Sequence, residues 1–495
     1  MTQSPIQTPV KTRFAPSPTG EIHLGNLRTA LFNALVAQGQ AGVFLLRIED
    51  TDAERSRDEY VSALQTELQW LGLDWQEGPG IGGAAAPYQQ SARAAIYARY
   101  FQTLEQHDHA YPCFCSPEEL SIARKVQQAS GRPPRYPGTC ARLTPEQRQA
   151  KIAQGLKPTL RFRVPDGRDI IFEDLVRGPQ SFRSDDIGDF VVRRGDGSAA
   201  FFFCNALDDA LMGVTHVLRG EDHLANTPRQ LLILEVLGFA APQYGHIALI
   251  VGDDGSPLSK RNGSNSIREL REAGIFPLAL INHLARLGHT YDADGFMPLS
   301  ELAAQFDFKR LGRAPARHDP AQLQHWQKEA LARCTDTELW EWMSARTYQE
   351  GHQIQALVPV GAELSFVHTV RENILTPLDA YLWAGNLYAA ADAFDPDARQ
   401  VVQSAGPDFF RQAQAALTEA GDFKAYTKAL SVSSGCKGKE LFMPLRAALS
   451  GQLTDPERGG IWRHGPELAR IWSLLGSARV RERLSAAEHC GSTIV

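Results

Sequence analysis

Near its amino terminus the chain reads "RFAPSPTGEIHLGNLRTALFNALVA". His23 and Gly25 stand at the mouth of a helical stretch, behind a turn that contains Ser17, Thr19 and Gly20. A helix N-terminus exposes unpaired backbone N–H groups and about half a positive charge. Such a place suits phosphate. Gly25 lets the backbone or a nucleotide base come close, and His23 brings an N–H that can donate to phosphate oxygens as negative charge builds. An isolated His-x-Gly is most often a surface turn. A second segment changes that balance. "PLSKRNGS" places Ser259, Lys260 and Arg261 between Gly255 and Gly263, in a loop that follows a strand. Alone it reads as solvated charge. Together, two such loops at the strand ends of two halves of one sheet form a specific pair, because ligands of parallel α/β sheets bind beyond the carboxyl ends of the strands.

Three further groups have chemistry-bearing spacing. "CFC" gives Cys113 and Cys115, and Cys140 follows after 24 intervening residues. Cys-x-Cys with a distant third cysteine suits zinc, and it also suits three reduced cysteines at a domain hinge. Arg142 stands two residues after Cys140, so no local fourth ligand follows. Glu49, in "RIED", ends a strand and reads on its own as an exposed acid. "FDFKRLGRAPARHDP" concentrates Lys309, Arg310, Arg313 and Arg317, a turn for phosphate contacts or simply solvated charge.

These residues need elements to hold them. "KTRFA" has the length of a first strand. Leu27, Ala30, Leu31, Ala34 and Leu35 recur at the spacing of a buried helical face, and "GQAG" ends that helix. "VFLLRI" (43–48) fits a parallel strand covered on both faces, which completes one βαβ unit. The pattern returns later: "DFVVRR" and "AFFFC" read as strands, "ALDDALMG" as a short helix and "VTHVLRG" as a strand. "NTPRQLLILEVLGF" reads as a helix with Thr227 at the N-cap and Pro228 at its first position, and "GHIALIVG" as a further strand. Residues 113–188 look like a domain inserted into the split sheet. Beyond about 320 the strand signals fade and a helical bundle is expected.

The chain has 495 residues, too many for one core, so about two to four domains are expected. The predicted class is α/β: a Rossmann-type parallel sheet split by an inserted α+β domain, then an all-α region. The expected divisions are 1–112 and 189–255 for the two catalytic halves, 113–188 for the insertion, 256–325 for the SKR loop and a stem-contact region, and 326–495 for the helices. With 43% hydrophobic and 22% charged residues the composition is that of a globular protein. No apolar stretch reaches the ~20 residues that span a bilayer, and "MTQSPIQTPV" lacks the features of a signal peptide; a cytoplasmic location is expected. Seven cysteines in a chain of this size argue against a disulfide framework, and Cys204 reads as a small core residue. A net charge of −6 neither supports nor excludes an RNA partner.

The paired loops are where a family becomes visible. "PSPTGEIHLGN" resembles the HIGH segment of class I aminoacyl-tRNA synthetases, and "PLSKR" resembles their KMSKS loop. "FLLRIEDTDAERS", "DDALMGVTHVLRGEDHLANTPRQ" and "LSKRNGS" narrow the likeness to bacterial glutamyl-tRNA synthetases. It continues through "FPLALINHLARLGHTY", "GRAPARHDPAQL" and "GCKGKELFMPLRAALSG", and so covers nearly the whole chain.

The resemblance implies a two-step reaction: glutamate and ATP give glutamyl-adenylate and pyrophosphate, and glutamate then passes to the 3′-terminal adenosine of tRNA(Glu), with tRNA(Gln) as a second candidate acceptor. It implies catalytic roles for His23, Gly25 and Lys260, with ATP, accompanied by Mg²⁺, held by these and by Thr19, Gly20, Asn26, Ser259 and Arg261. Arg13 and Arg219 would hold the side-chain carboxylate and Glu49 the ammonium group, with Ala15, Ser17 and Phe201 around them. Phe201 stands where the family usually has a tyrosine whose hydroxyl helps bind glutamate, and is read as a pocket wall. Many members carry Cys-x-Cys followed by Cys-x-His. A related enzyme, glutamyl-queuosine tRNA(Asp) synthetase, uses a tyrosine from a YPGTC-like stretch as fourth zinc ligand. "YPGTC" is present here, so Cys113, Cys115, Tyr136 and Cys140 form the candidate zinc set. The insertion would handle the tRNA acceptor end, the basic turn its stem, and the helices the anticodon, in a monomer. That related enzyme is the nearest rival, although it lacks an anticodon-binding half. A glutaminyl enzyme would read "RFDDTN" in place of "RIEDTD". A nucleotidyltransferase would leave the C-terminal likeness unexplained, and a non-catalytic RNA-binding paralogue would not need His23, Gly25, Glu49, Arg219 and Lys260 intact.

Overall fold

A computed structural model of the chain describes residues 9–52, 54–131, 133–252, 254–256, 258, 266–348, 351–417, 422–453 and 465–492. The chain divides into two compact units. One runs to Glu269 and takes in Leu280–Pro320; the other comprises Leu270–Ala279 and continues from Ala321.

The first unit is built on parallel strand pairs. Strand β1 (Lys11–Phe14) lies parallel to β2 (Val43–Leu46), Lys11 opposite Val43 and Phe14 opposite Leu46. Helix α1 (Leu24–Gly39) connects them, and the five residues of its expected apolar face are all buried. At the return into β2 the backbone of Gly42 lies so close to the Val10 carbonyl that a Cβ there would clash, so only glycine fits.

The stretch between α1's strand pair and the later parallel pair supplies strands β3 (Ala110–Cys113), β4 (Thr159–Phe162), β5 (Asp169–Asp174), β6 (Gly178–Arg183) and β7 (Phe190–Arg193). Strands β3, β4 and β7 form an antiparallel sheet in that order. Strands β8 (His216–Gly220) and β9 (Gln243–Ile247) pair in parallel along their whole length. Strand β1 begins beside β8: Thr215 N–H donates to the Lys11 carbonyl (2.9 Å). The antiparallel β5–β6 hairpin joins the other edge of β9 at Asp174 and Tyr244, giving the order β6-β5-β9-β8. Two short strands, β10 (Ile250–Val251) and β11 (Ala316–Arg317), pair in parallel.

Three local expectations are corrected. "AFFFC" is not a strand. Ala200 is extended and Phe201 opens a helix that runs to Leu211. Aromatic strand propensity yields to packing: Phe203, Cys204, Ala206 and Leu207 form one buried helical face, and Phe203 stacks on Phe101 at 4.5 Å. Thr227 is the first residue of the helix Thr227–Val236 rather than its cap, because a 3₁₀ turn (Glu221–Asn226) already leads into it. "GHIALIVG" is two strands, interrupted at Ala248 and Leu249.

The helix Phe201–Leu211 carries two fully buried carboxylates, each matched to arginine. Asp208 accepts from Arg93 Nε (2.8 Å), Gln90 Nε2 (3.0 Å) and the Tyr97 hydroxyl (2.7 Å). Asp209 accepts from Arg47 Nη1 (2.7 Å) and Arg13 Nε (3.2 Å). Burial alone would raise the Asp209 carboxyl; the charges of Arg13 and Arg47 outweigh it and hold the pKa below its ordinary value.

The second unit is helical, with no strand among the described residues from Ala321 onward. Its core joins Leu339, Phe366, Leu387, Phe410, Leu445 and Ile471, residues of six different helices. Two of its long helical stretches are broken where glycine takes a left-handed φ, at Gly406 (77°) and Gly476 (68°). Gln327 Nε2 donates to the carbonyls of Gly274 (3.1 Å) and Leu375 (3.0 Å), and its Oε1 accepts from Phe276 N–H (2.9 Å).

Asp209→Asn keeps the shape but removes the buried charge that two guanidinium groups share. We expect a loss of about 3–5 kcal/mol in unfolding free energy, measured by urea denaturation; an unchanged midpoint would show that the pair is not what holds this helix.

Candidate active site

The turn after β1 leads straight into α1. His23 is the N-cap, extended at φ −113° and ψ 168°, and its Nδ1 accepts from Gly25 N–H at 3.2 Å. With Nδ1 an acceptor, the ring proton sits on Nε2, and desolvation at this mouth lowers the histidine pKa and favours the neutral ring. A Cβ at position 25 would press on the ring at 3.1–3.2 Å, so Gly25 is the residue that lets His23 fold over the helix end.

The residues that flank the second loop reach the same edge. Ser259, Lys260 and Arg261 lie outside the described residues, but both flanks of that segment are described. Leu258 N–H donates to the Ile250 carbonyl (2.9 Å) on one side; on the other, Ser266 bridges to His23 and Ile267 N–H donates to the Ile22 carbonyl (3.4 Å). Arg268 pairs with Glu21 at 2.6 Å.

A cleft of about 390 Å³ opens at this strand-end edge, and Ile250 lines it. It gathers ten of the expected residues: Arg13, Ala15, Ser17, Thr19, His23, Gly25, Asn26, Glu49, Phe201 and Arg219. Gly20 lines a smaller neighbouring hollow of about 220 Å³, which shares Thr19, His23 and Asn26.

The floor of the cleft is a chain of buried polar bonds. Glu49 Oε1 accepts from Arg47 Nη2 (3.0 Å) and Asn205 Nδ2 (2.5 Å). Burial raises the Glu49 pKa, against the pull of Arg47 and Arg13. The oxygen of the Asn205 amide accepts from Gln230 Nε2 (2.7 Å), and Gln230 Oε1 accepts from Arg219 Nη2 (2.7 Å). Arg219 Nη2 also donates to Thr227 Oγ1 (2.8 Å), and its Nε donates to His246 Nε2 (3.1 Å). Its Nη1 is buried and has no hydrogen-bond partner. Burial lowers the Arg219 pKa to about 10, so the side chain stays cationic at neutral pH. A buried cationic donor aimed nowhere within the protein is costly unless a ligand meets it. A carboxylate is the matching group.

Sequence reasoning missed Asn205, Thr227, Gln230 and His246 in this network, and it missed His223, which lines the cleft beside Phe201 with ring centroids 5.5 Å apart. Asn205 was legible in principle: it lies four residues after Phe201, on the same helical face once that stretch is read as a helix.

The cysteine group is equally compact. The Sγ atoms of Cys113, Cys115 and Cys140 lie within 4.8 Å of one another. The Tyr136 hydroxyl oxygen is 3.4 Å from Cys113 Sγ and 3.5 Å from Cys115 Sγ, and accepts from Cys140 N–H (2.8 Å). Three thiols and a phenol oxygen around one point suit a thiophilic tetrahedral ion. Arg161 Nε donates to Cys113 Sγ (3.2 Å), with its guanidinium 4.0 Å from the Tyr136 ring centroid.

The basic turn is less uniform than its sequence. Lys309 and Arg317 are exposed, Arg310 pairs with Asp292 (2.8 Å), and Arg313 Nε donates to the Val176 carbonyl (2.9 Å).

Comparison with known proteins places this geometry. Residues 9–325 match the family of class I tRNA synthetases (E and Q), catalytic domain, and residues 374–488 match an anticodon-binding domain. The chain is 57% identical to glutamate–tRNA ligase 2 of Nitrosococcus oceani, over 97% of this chain and 98% of that protein. It is 52% identical to glutamate–tRNA ligase 2 of Alkalilimnicola ehrlichii, over 98% and 99%. Among solved structures, a glutamate tRNA ligase of Elizabethkingia meningosepticum in complex with its amino acid superposes with a TM-score of 0.85 at 27% identity, covering 97% of this chain and 99% of the other.

The cap and the ring proton of His23 are separable by substitution. His23→Asn keeps an N-cap acceptor and should leave the thermal midpoint nearly unchanged, whereas His23→Ala should cost about 1 kcal/mol. Equal midpoints for the two variants, by differential scanning calorimetry, would mean that the cap bond contributes nothing.

Proposed function

The chain belongs to the class I tRNA synthetases of the E and Q group, and from that premise we propose that it is a glutamate–tRNA ligase whose amino-acid specificity rests on Arg219. It activates L-glutamate with ATP and transfers glutamate to the 3′-terminal adenosine of tRNA(Glu). The observation that carries the choice of amino acid is the buried, unpartnered Nη1 of Arg219 in the cleft.

In the first step an α-carboxylate oxygen of glutamate attacks the α-phosphorus of ATP. The new bond is the mixed anhydride of glutamyl-adenylate, and the bond to pyrophosphate breaks. Phosphoryl chemistry of this kind needs alignment and donors for charge on the phosphate oxygens rather than covalent help. His23 supplies the Nε2–H left available by its cap bond, the N-terminus of α1 supplies backbone donors, and Lys260 supplies the opposing charge. Thr19, Gly20, Gly25, Asn26, Ser259 and Arg261 complete the ATP site, and Mg²⁺ accompanies the nucleotide. In the second step a ribose hydroxyl of the terminal adenosine attacks the glutamyl carbonyl and AMP leaves.

Arg219 Nη1 and Arg13 receive the side-chain carboxylate. A glutamine amide would leave a buried cationic donor poorly matched, at a cost of about 1–3 kcal/mol. Glu49 Oε1 already takes both of the carboxylate's hydrogen bonds within the protein, so its second oxygen is available to the substrate ammonium. Ala15, Ser17 and Phe201 shape the wall, and Phe201 lacks the hydroxyl of the usual tyrosine.

Cys113, Cys115, Tyr136 and Cys140 would hold one zinc ion. Four protein ligands leave no open position, so the ion fastens the insertion and does no chemistry. We assign 1–112 and 189–255 to the catalytic halves, 113–188 to acceptor-end binding, 256–325 to the SKR loop and stem contacts through Lys309, Arg310, Arg313 and Arg317, and 326–495 to the anticodon. No helix among the described residues is long and apolar enough to cross a membrane, and a monomer working in the cytoplasm fits the reaction. The anticodon-binding match favours this reading over a glutamyl-queuosine tRNA(Asp) synthetase.

Charging assays with labelled glutamate should show tRNA(Glu) as the best acceptor. Charging of tRNA(Gln) as well would make the enzyme non-discriminating, and labelling of tRNA(Asp) alone would overturn the assignment. Elemental analysis should find about one zinc per chain, lost in Cys140→Ser; purified protein with well under one would remove the zinc site.

A further inference from the structure

Arg219 is held in a particular way. Its Nε donates to His246 Nε2 (3.1 Å), and its Nη2 to Thr227 Oγ1 and Gln230 Oε1, which leaves Nη1 as the end without a protein partner. Arginine can only donate, so His246 Nε2 must accept. On the other side of the ring, His246 Nδ1 lies 2.5 Å from Asp174 Oδ2. A carboxylate can only accept, so Nδ1 must carry the proton. The Thr227 hydroxyl, 3.1 Å from Nε2, can donate to the same nitrogen, so the ring's neighbours impose one neutral tautomer, in agreement with the downward shift that burial gives the histidine.

Asp174 is itself immobilised. It is fully buried at the end of β5, and its Oδ1 accepts from Val176 N–H (3.0 Å), Arg177 N–H (2.8 Å) and His246 N–H (3.2 Å). Only Oδ2 remains, and it meets the imidazole. The ring runs nearly parallel to that of Tyr244, with centroids 6.3 Å apart and planes 10° apart, and the Arg219 guanidinium sits 5.2 Å from the Tyr244 ring centroid. Neither Asp174 nor His246 lines the cleft.

We propose that Asp174 and His246 are positioning residues for glutamate recognition: through one enforced imidazole tautomer they set the direction in which Arg219 presents Nη1 to the substrate carboxylate. The inference rests on the assignment of Arg219 to glutamate made above. A second-layer partner that fixes a histidine tautomer is a general device for aiming the group beyond it.

Two near-isosteric variants separate aiming from mere packing. His246→Asn puts an amide near the Nδ1 position, which keeps the bond to Asp174 and deletes the acceptor for Arg219. His246→Gln puts an amide oxygen near the Nε2 position, which keeps the acceptor and deletes the bond to Asp174. In aminoacylation of tRNA(Glu), His246→Asn should raise the glutamate KM about ten- to a hundredfold, with the ATP KM and kcat within about twofold of the parent. His246→Gln should raise the glutamate KM markedly less. In an Arg219→Ala background, His246→Asn should add nothing further. Equal effects of the two variants, a parallel rise in the ATP KM, or full additivity with Arg219→Ala would each overturn the proposal. If Arg219→Ala raises the glutamate KM and His246→Asn does not, the positioning role alone is lost. If Arg219→Ala itself leaves the glutamate KM unchanged, the glutamate assignment of Arg219 falls as well.

Discussion

The buried carboxylate of Asp209, gripped by Arg13 and Arg47, is the constraint on which the cleft depends. Arg13 comes from β1, Arg47 follows β2, and Asp209 sits on the helix Phe201–Leu211, so one ion cluster ties three elements together. Charges this deep are costly to desolvate and are tolerated when paired with an opposite charge. Arg47 also carries Glu49, and Glu49 carries Asn205. The cluster therefore fixes the position of the acid in the cleft as well as the packing beneath it. A hydrophobic floor of the same shape would support the helix, but it would offer nothing with which to orient an amino acid.

Much of this was legible in the residues. The βαβ unit around α1 follows from the spacing of Leu27, Ala30, Leu31, Ala34 and Leu35, and His23 at the helix mouth follows from the turn that precedes it. The helical character of the C-terminal unit follows from composition. "AFFFC" was misleading because three consecutive aromatics carry strand propensity, whereas the partners that make them helical, Phe101 and Tyr97, lie about a hundred residues away in the chain. The network beyond Arg219 was not legible for a related reason. Asp174, His246, Thr227 and Gln230 are ordinary residues in ordinary segments, and the pairing of β5 with β9 and of β9 with β8, together with the helix Thr227–Val236, brings them to Arg219.

Residues far apart in the chain meet at the mouth of α1. Ser266 is far from His23 in sequence, yet the two are bridged, and the Glu21–Arg268 pair lies beside them. Leu258 is held to Ile250, whereas Ser266 and Ile267 are held to His23 and Ile22.

The attachment of the β5–β6 hairpin to β9 gives it a different standing from a segment hung on a flexible linker. Leu175 N–H donates to the Tyr244 carbonyl (2.8 Å), and Asp174 pairs with Tyr244 in register. The hairpin is a graft in the sheet rather than an appendage to it. Trimming the chain back to a minimal nucleotide-binding core would expose the edge of β9 to pairing with other chains and would leave His246 Nδ1 without its acceptor. A miniaturised version of this fold would have to rebuild that edge before it could discard the rest.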